Sequence, residues 1–315
     1  MSRYLITGAT TPIGEVLMRQ LLSHSDTSAI LAVGAEPLRN RAVEIDGRVR
    51  YLRMDLTRER NLRDLLYGIG RELEIEVILD MASHRSLSAT GSRVRALNVL
   101  TRRRLLALAE EHPTLRRFVY RSYAEVYDVT TALPSLIDEA HPLDLRPDAP
   151  QWIRDRIEAD LSVCTRMGMS RLSIAVLRTA ECLGPRMGSQ LHDYLSAGLC
   201  FRPLGYDPIV NLISEDDLGR ALALAARSEA QGIFTIPGAT TLPVSEIIRR
   251  TGRKQFSVPG PLMAPLYAAR RTVLGTDFDY GLNRGRLHYG GVLAGARAEE
   301  LLGYRPETAV TFPID

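Results

Sequence analysis

The chain has 315 residues, 45% hydrophobic and 24% charged, which excludes a disordered chain and leaves room for one large domain or two modest ones. Its 40 basic residues against 37 acidic give a net charge of +3, too even to point to a nucleic-acid or anionic-membrane partner. Lys254 is the only lysine among those basic residues, and arginine does not release its proton in a protein, so acid–base chemistry has almost no amine to draw on. The cysteines Cys164, Cys182 and Cys200 form no C-x-x-C pair and the histidines share no ligand spacing, so neither a disulfide framework nor a metal is expected. No apolar stretch reaches the ~18 residues that span a bilayer, and the first residues enter a strand pattern with no leader features. A cytoplasmic location is expected.

In chain order, short apolar runs at 3–7, 29–33, 49–54, 76–80, 117–122 and 173–178 read as strands. Amphipathic stretches at 14–22, 61–67, 94–111 and 152–167 read as the helices between them. Strands alternating with helices predict an α/β fold, a doubly wound parallel sheet covered on both faces. After Leu183-Gly184-Pro185 glycine and proline become frequent and the helical patterns shorten to 190–198, 214–228 and 243–251. Residues 256–294 look the most irregular, with Pro259, Pro261 and Pro265 followed by glycine-rich segments. The expected division is 1–183, completed by segments near 208–238, and a smaller C-terminal substrate lobe over 184–315.

The first strand runs into Thr7-Gly8-Ala9-Thr10-Thr11-Pro12-Ile13-Gly14 and then a helix. A glycine-bearing turn between strand and helix is where a dinucleotide's pyrophosphate meets backbone N–H groups and the positive helix end. Here the sequence resembles the extended short-chain dehydrogenase/reductase family, also called the NAD-dependent epimerase/dehydratase family. That family's pattern is T-G-x-x-G-x-x-G. Thr7, Gly8 and Gly14 match it, whereas Thr11 stands at the middle glycine and Pro12 removes an N–H. The Thr11–Pro12 pair reads equally well as a plain helix start, threonine capping and proline first. The resemblance implies a Rossmann-like fold and a cofactor contact at Gly8, Thr11, Pro12, Ile13 and Gly14. It extends to Asp55-Leu56 after the third strand, to Ala82 after the fourth and to Asn98 on the next helix. Gly34 falls where the family carries an acid for the adenosine ribose. Glu36 lies two residues on, and Arg39 and Arg41 follow, so NAD and NADP both remain candidates.

The family's chemistry rests on a Ser or Thr after the fifth strand and a Tyr-x-x-x-Lys on the next helix, with tyrosine as the general acid/base. The segment Ser122-Tyr123-Ala124-Glu125-Val126-Tyr127-Asp128 puts Tyr123 at the Ser/Thr position. Anchored by Ile137–Pro142 upstream and Leu177–Pro185 downstream, the helix pattern puts Trp152 at the tyrosine, Arg156 at the lysine and Asp160 at the usual glutamate. Indole N–H only donates, so Trp152 cannot shuttle a proton, and Arg156 is suited at most to holding a ribose or phosphate. The phenol of Tyr123 stays near a pKa of ~10 unless Arg156 supplies a charge.

Other signals read blandly. Asp138-Glu139-Ala140-His141 spells a helicase box with no phosphate loop to accompany it. Ser170 lacks the second glycine of a nucleophile elbow. Arg102-Arg103-Arg104 reads as a solvated or subunit-facing stripe opposite Leu97, Leu100, Leu105 and Leu108. The resemblance further implies a homodimer pairing this helix and the Trp152 helix with their copies, and a closing motif at Leu301–Glu307 whose leading Asp is replaced by Ala294 or Gly295. The favoured reading is a catalytically silent member of the family that binds a nucleotide, a nucleotide-sugar or a protein partner. A rewired NAD(P)-dependent oxidoreductase or epimerase, and a scaffold that has lost cofactor binding, are the alternatives.

Overall fold

The computed structural model describes residues 2–38 and 46–312. Seven parallel strands form one sheet: β1 (Ser2–Thr7), β2 (Thr27–Gly34), β3 (Val49–Arg53), β4 (Val77–Asp80), β5 (Arg117–Tyr123), β6 (Ser173–Thr179) and β7 (Gly232–Ile236). Their order is β7-β6-β5-β4-β1-β2-β3. The chain winds outward one way from β1, returns to β4 and winds out the other way, so a switch point opens beyond the carboxyl ends of β1 and β4. The doubly wound parallel sheet expected from the alternation is present, and each predicted strand starts and ends within two residues of the observed one.

Alternation of side chains along the strands feeds two cores. Tyr4, Ile6, Leu79 and Leu177 point to one face, against α1 (Pro12–Leu22) and, later in the chain, the helix Glu215–Arg227. Leu5, Ile78, Phe118 and Val176 point to the other, against α2 (59–70), α3 (92–111) and α4 (Gln151–Cys164). Each fully buried aliphatic side chain contributes about 1.5–3 kcal/mol relative to exposure, so both faces are committed to helices.

Beyond β6 come α5 (Gln190–Leu195), α6 (Glu215–Arg227), α7 (Val244–Arg250), α8 (Gly260–Leu274), α9 (Tyr280–Tyr289) and α10 (Ala296–Leu302). A third core gathers Leu191, Tyr194, Ile247, Met263, Tyr267 and Phe278, with Tyr267 and Phe278 ring centroids 4.9 Å apart. The expectation of irregular chain over 256–294 is corrected here, since α8 and α9 occupy most of it. Pro261 lies in the first turn of α8, and Pro265, without an N–H to give the carbonyl of Pro261, costs the helix only one bond. Among the described residues no helix is long and apolar enough to cross a membrane.

Candidate functional site

The turn after β1 is shaped by close contacts. Gly8 has φ +70°, and a Cβ there would lie 3.1 Å from the backbone of Met81 and Ala82. A Cβ on Gly14 would lie 2.5 Å from the carbonyl of Ala9, so only glycine lets α1 begin this close to the turn. Thr11 is the N-cap: its hydroxyl accepts the Gly14 amide at 3.0 Å and donates to the Gly8 carbonyl at 2.8 Å. Pro12 opens the helix. Of the first three helical residues, only Ile13 keeps an amide to offer a ligand. Thr7 ties β1 to β4, donating to Asp80 at 2.5 Å and accepting from the amides of Met81 and Ala82.

Beyond this turn lies a cleft of about 730 Å³ lined by Gly8, Thr10, Thr11, Gly34, Asp55, Leu56 and Ala82. Its size is that of a ligand site. Gly34 is bare for a packing reason: a Cβ would lie 2.6 Å from the Thr10 side chain. Glu36 is bridged by Arg186, whose Nη2 also donates to the Thr10 carbonyl. Asp55 accepts from the amide and hydroxyl of Thr57, and these bonds hold its carboxyl below the ordinary carboxylate range. Arg39 and Arg41 lie outside the described residues.

Behind Ser83, which lines the cleft, the side chains of Tyr123, Arg156 and Trp152 form one stack. The Arg156 guanidinium sits 3.7 Å from the Tyr123 ring centroid and 3.6 Å from that of Trp152. All three are buried, Trp152 to 2% exposure. Arg156 also pairs with Glu125 at 3.2 Å and donates to the Gly188 carbonyl at 3.4 Å. The Tyr123 hydroxyl shares a 2.8 Å hydrogen bond with Ser83. Burial raises this phenol's pKa, but the charges of Arg121 and Arg156 and the Ser83 bond outweigh it and hold the phenol below its ordinary value. Arg156 therefore does supply the charge on which the sequence-based value of Tyr123 depended.

Ser122 faces a different partner. Its hydroxyl donates to Asp160 at 2.5 Å, and Asp160 takes both Nε and Nη2 of Arg178, at 3.1 and 2.7 Å. Asp160 is fully buried and its cluster is structural. On the far side, a pocket of about 80 Å³ is lined by Glu125, Glu181, Asn211 and Arg286 among apolar walls. Ligand sites run to roughly 300–1,000 Å³, so this one admits no sugar or nucleotide as it stands.

The model of the NAD dependent epimerase/dehydratase family matches residues 4–198. The chain belongs to that family. Uncharacterised proteins of Mycobacterium bovis and Mycobacterium tuberculosis are 30% identical over 318 aligned residues, covering 99% of this chain and 82% of theirs. Among solved structures, a dTDP-glucose 4,6-dehydratase of Bacillus anthracis in complex with NAD superposes with a TM-score of 0.72 at 15% identity, covering 98% of this chain and 92% of that one. A dTDP-glucose 4,6-dehydratase of Streptomyces venezuelae with NAD and TYD bound gives 0.71 at 22% identity, with 98% and 92% covered. At such identities these structures speak for the fold.

Set against the family pattern, Gly8, Thr11, Asp55, Leu56 and Ala82 gather in the cleft, while Tyr123, Trp152 and Arg156 meet in the stack. Asn98 lies beneath, its side-chain oxygen accepting the amide of His84 at 2.8 Å. The Arg102–Arg104 stripe needs correction. Arg103 and Arg104 pair with Glu158 and Glu59 at the surface, but Arg102 is 2% exposed. It pairs with Asp80 at 3.1 Å and donates to the carbonyls of Asn98 and Ala82. A π turn over Ala96–Leu100 inserts an extra residue and rotates Arg102 inward, which regular helical spacing does not anticipate. Asp138-Glu139-Ala140-His141 proves a packing element: Glu139 accepts from the amide and hydroxyl of Thr235. Ser83, Arg85 and Arg186 escaped the sequence reading, since none sits in a motif and only the folded chain brings them to the cleft or its edge; Glu125 lay within the fifth-strand segment, but its pairing with Arg156 was not foreseen.

Proposed function

We propose that this protein is a nucleotide-binding member of the epimerase/dehydratase family that lacks the family's proton relay. The carrying observation is the buried sandwich of Arg156 between Trp152 and Tyr123, pinned by Glu125. The cleft fits the adenosine part of NAD or NADP: Leu56 and Ala82 supply apolar walls, and Gly34 leaves the end of β2 without a side chain. A bound nicotinamide would supply a hydride donor or acceptor. An indole and a guanidinium at the relay positions supply no dissociable proton near neutral pH, and loss of an acid/base group removes roughly 10²–10⁴ in rate. The small volume of the pocket lined by Glu125 and Glu181, about 80 Å³, argues against a nucleotide-sugar substrate. We also place the protein in the cytoplasm as a homodimer paired through α3 and α4, which light scattering tests.

Calorimetric titration with NADH and NADPH tests the reading, together with nicotinamide absorbance in the presence of candidate carbonyl and sugar-nucleotide substrates. The expected result is saturable binding without turnover. One observation favours the rewired alternative: the lowered pKa of Tyr123 and its hydroxyl on Ser83. Hydride transfer that vanishes in Tyr123→Phe would establish that alternative and overturn the silent one.

A further inference from the structure

The nucleotide cleft proposed above holds too few main-chain donors for a diphosphate. Pro12 has no N–H, and the Gly14 amide is taken by the Thr11 hydroxyl, so the helix end that normally receives phosphate is largely spent on its own cap. Two guanidiniums stand where those donors are missing. Arg186 reaches across from the segment after β6, and both of its bonds, to the Thr10 carbonyl at 3.1 Å and to Glu36 at 2.8 Å, are made by Nη2. Among the described residues its Nε and Nη1 have no partner, which leaves most of the donor fork open. Arg186 is also held at φ +69°, a left-handed conformation that a non-glycine residue keeps only where the surroundings impose it.

Arg85 lines the cleft itself and is only partly exposed. Among the described residues no carboxylate pairs with its side chain. Burial lowers its pKa, and the like charge of Arg186 lowers it further, with Glu36 the opposing neighbour. Arg85 packs against Gly188, two residues from Arg186, so both guanidiniums border one cleft; an anion between two like charges relieves them, and Arg presents paired N–H groups that match phosphate oxygens.

We infer that Arg85 and Arg186 form a side-chain clamp for the diphosphate of the bound nucleotide, replacing the main-chain amides lost at Thr11 and Pro12. The inference rests on the nucleotide-binding reading but goes beyond it. It makes affinity depend on the phosphates through these two side chains, and therefore on salt.

The test is titration of the whole chain with ADP-ribose, ADP, AMP and adenosine, on the wild type and on Arg85→Met, Arg186→Met and Arg186→Lys. Melting curves serve as the fold control. Wild type should bind ADP-ribose and ADP well above AMP and adenosine. Each methionine variant should weaken ADP-ribose and ADP by about tenfold or more while leaving adenosine unchanged. Arg186→Lys should recover part of the loss, and Glu36→Gln should tighten ADP by releasing the clamp. If ADP-ribose binds and both methionine variants bind it as the wild type does, the clamp is refuted and the cleft reading stands. If no adenine nucleotide binds at all, both are refuted.

Discussion

Replacing Arg156 by methionine removes the charge from the centre of the stack and keeps roughly its length. Four interactions go at once: ring contacts at 3.7 and 3.6 Å, the 3.2 Å pair with Glu125 and the 3.4 Å bond to the Gly188 carbonyl. The side chains of Arg156 and Glu125 are 6% and 8% exposed, so solvent screens little of the loss. A desolvated cation–π contact is worth about 2 kcal/mol, and breaking a buried pair by removing one partner costs about 3–5 kcal/mol. These terms share one guanidinium and do not add, so the expected destabilisation is about 3–5 kcal/mol, a melting-temperature drop of about 5–8 °C for a chain of this length. Trp152 is the only tryptophan in the chain, so its fluorescence follows this site directly during a urea or thermal melt. The variant's Tyr123 phenol should also titrate at higher pH, because Arg156 is one of the charges that lower it. A variant as stable as the wild type to within about 1 kcal/mol, with an unmoved phenol, would show that the stack carries no energy.

Asp160→Ala strands the buried guanidinium of Arg178 and the Ser122 hydroxyl; a loss of about 3–5 kcal/mol is expected in denaturant melts. Thr11→Ala removes the cap of α1 and should cost about 1 kcal/mol, whereas Thr11→Gly should cost only a few tenths. Glu181 has a raised pKa, first through burial and then through the charge of Glu125. The folded state therefore holds a proton that the unfolded state has released, so this group makes stability fall as pH rises from about 4.5 to about 7. Glu181→Gln should flatten that decline in thermal melts taken across the same range, and an unchanged slope would count against it.

The fold was legible because buried parallel strands need apolar runs, and 4–6, 29–33 and 174–177 contain nothing else. The Thr11–Pro12 start was legible too, since capping is a local matter between a side chain and the next turn's amides. Residues at the relay positions were readable by register, but their mutual contact was not. That Arg156 lies between two rings depends on how α4 rests against the end of β5. Arg102 was misread because the π turn breaks the periodicity on which a helical face is judged. Arg85 and Arg186 were invisible for another reason: in a chain whose basic residues are nearly all arginine, no single arginine stands out until its neighbours are known.

The short strap from Gly184 to Gly188 carries three residues at positive φ: Gly184, Arg186 and Gly188. Arg186 grips the turn after β1, while the Gly188 carbonyl receives Arg156 from the stack. One tether thus hangs between the two halves of the groove, with only Met187 between its hooks. Any guest that draws Arg186 toward itself pulls on the rope that steadies the indole, so filling the outer half should be audible in the emission of Trp152.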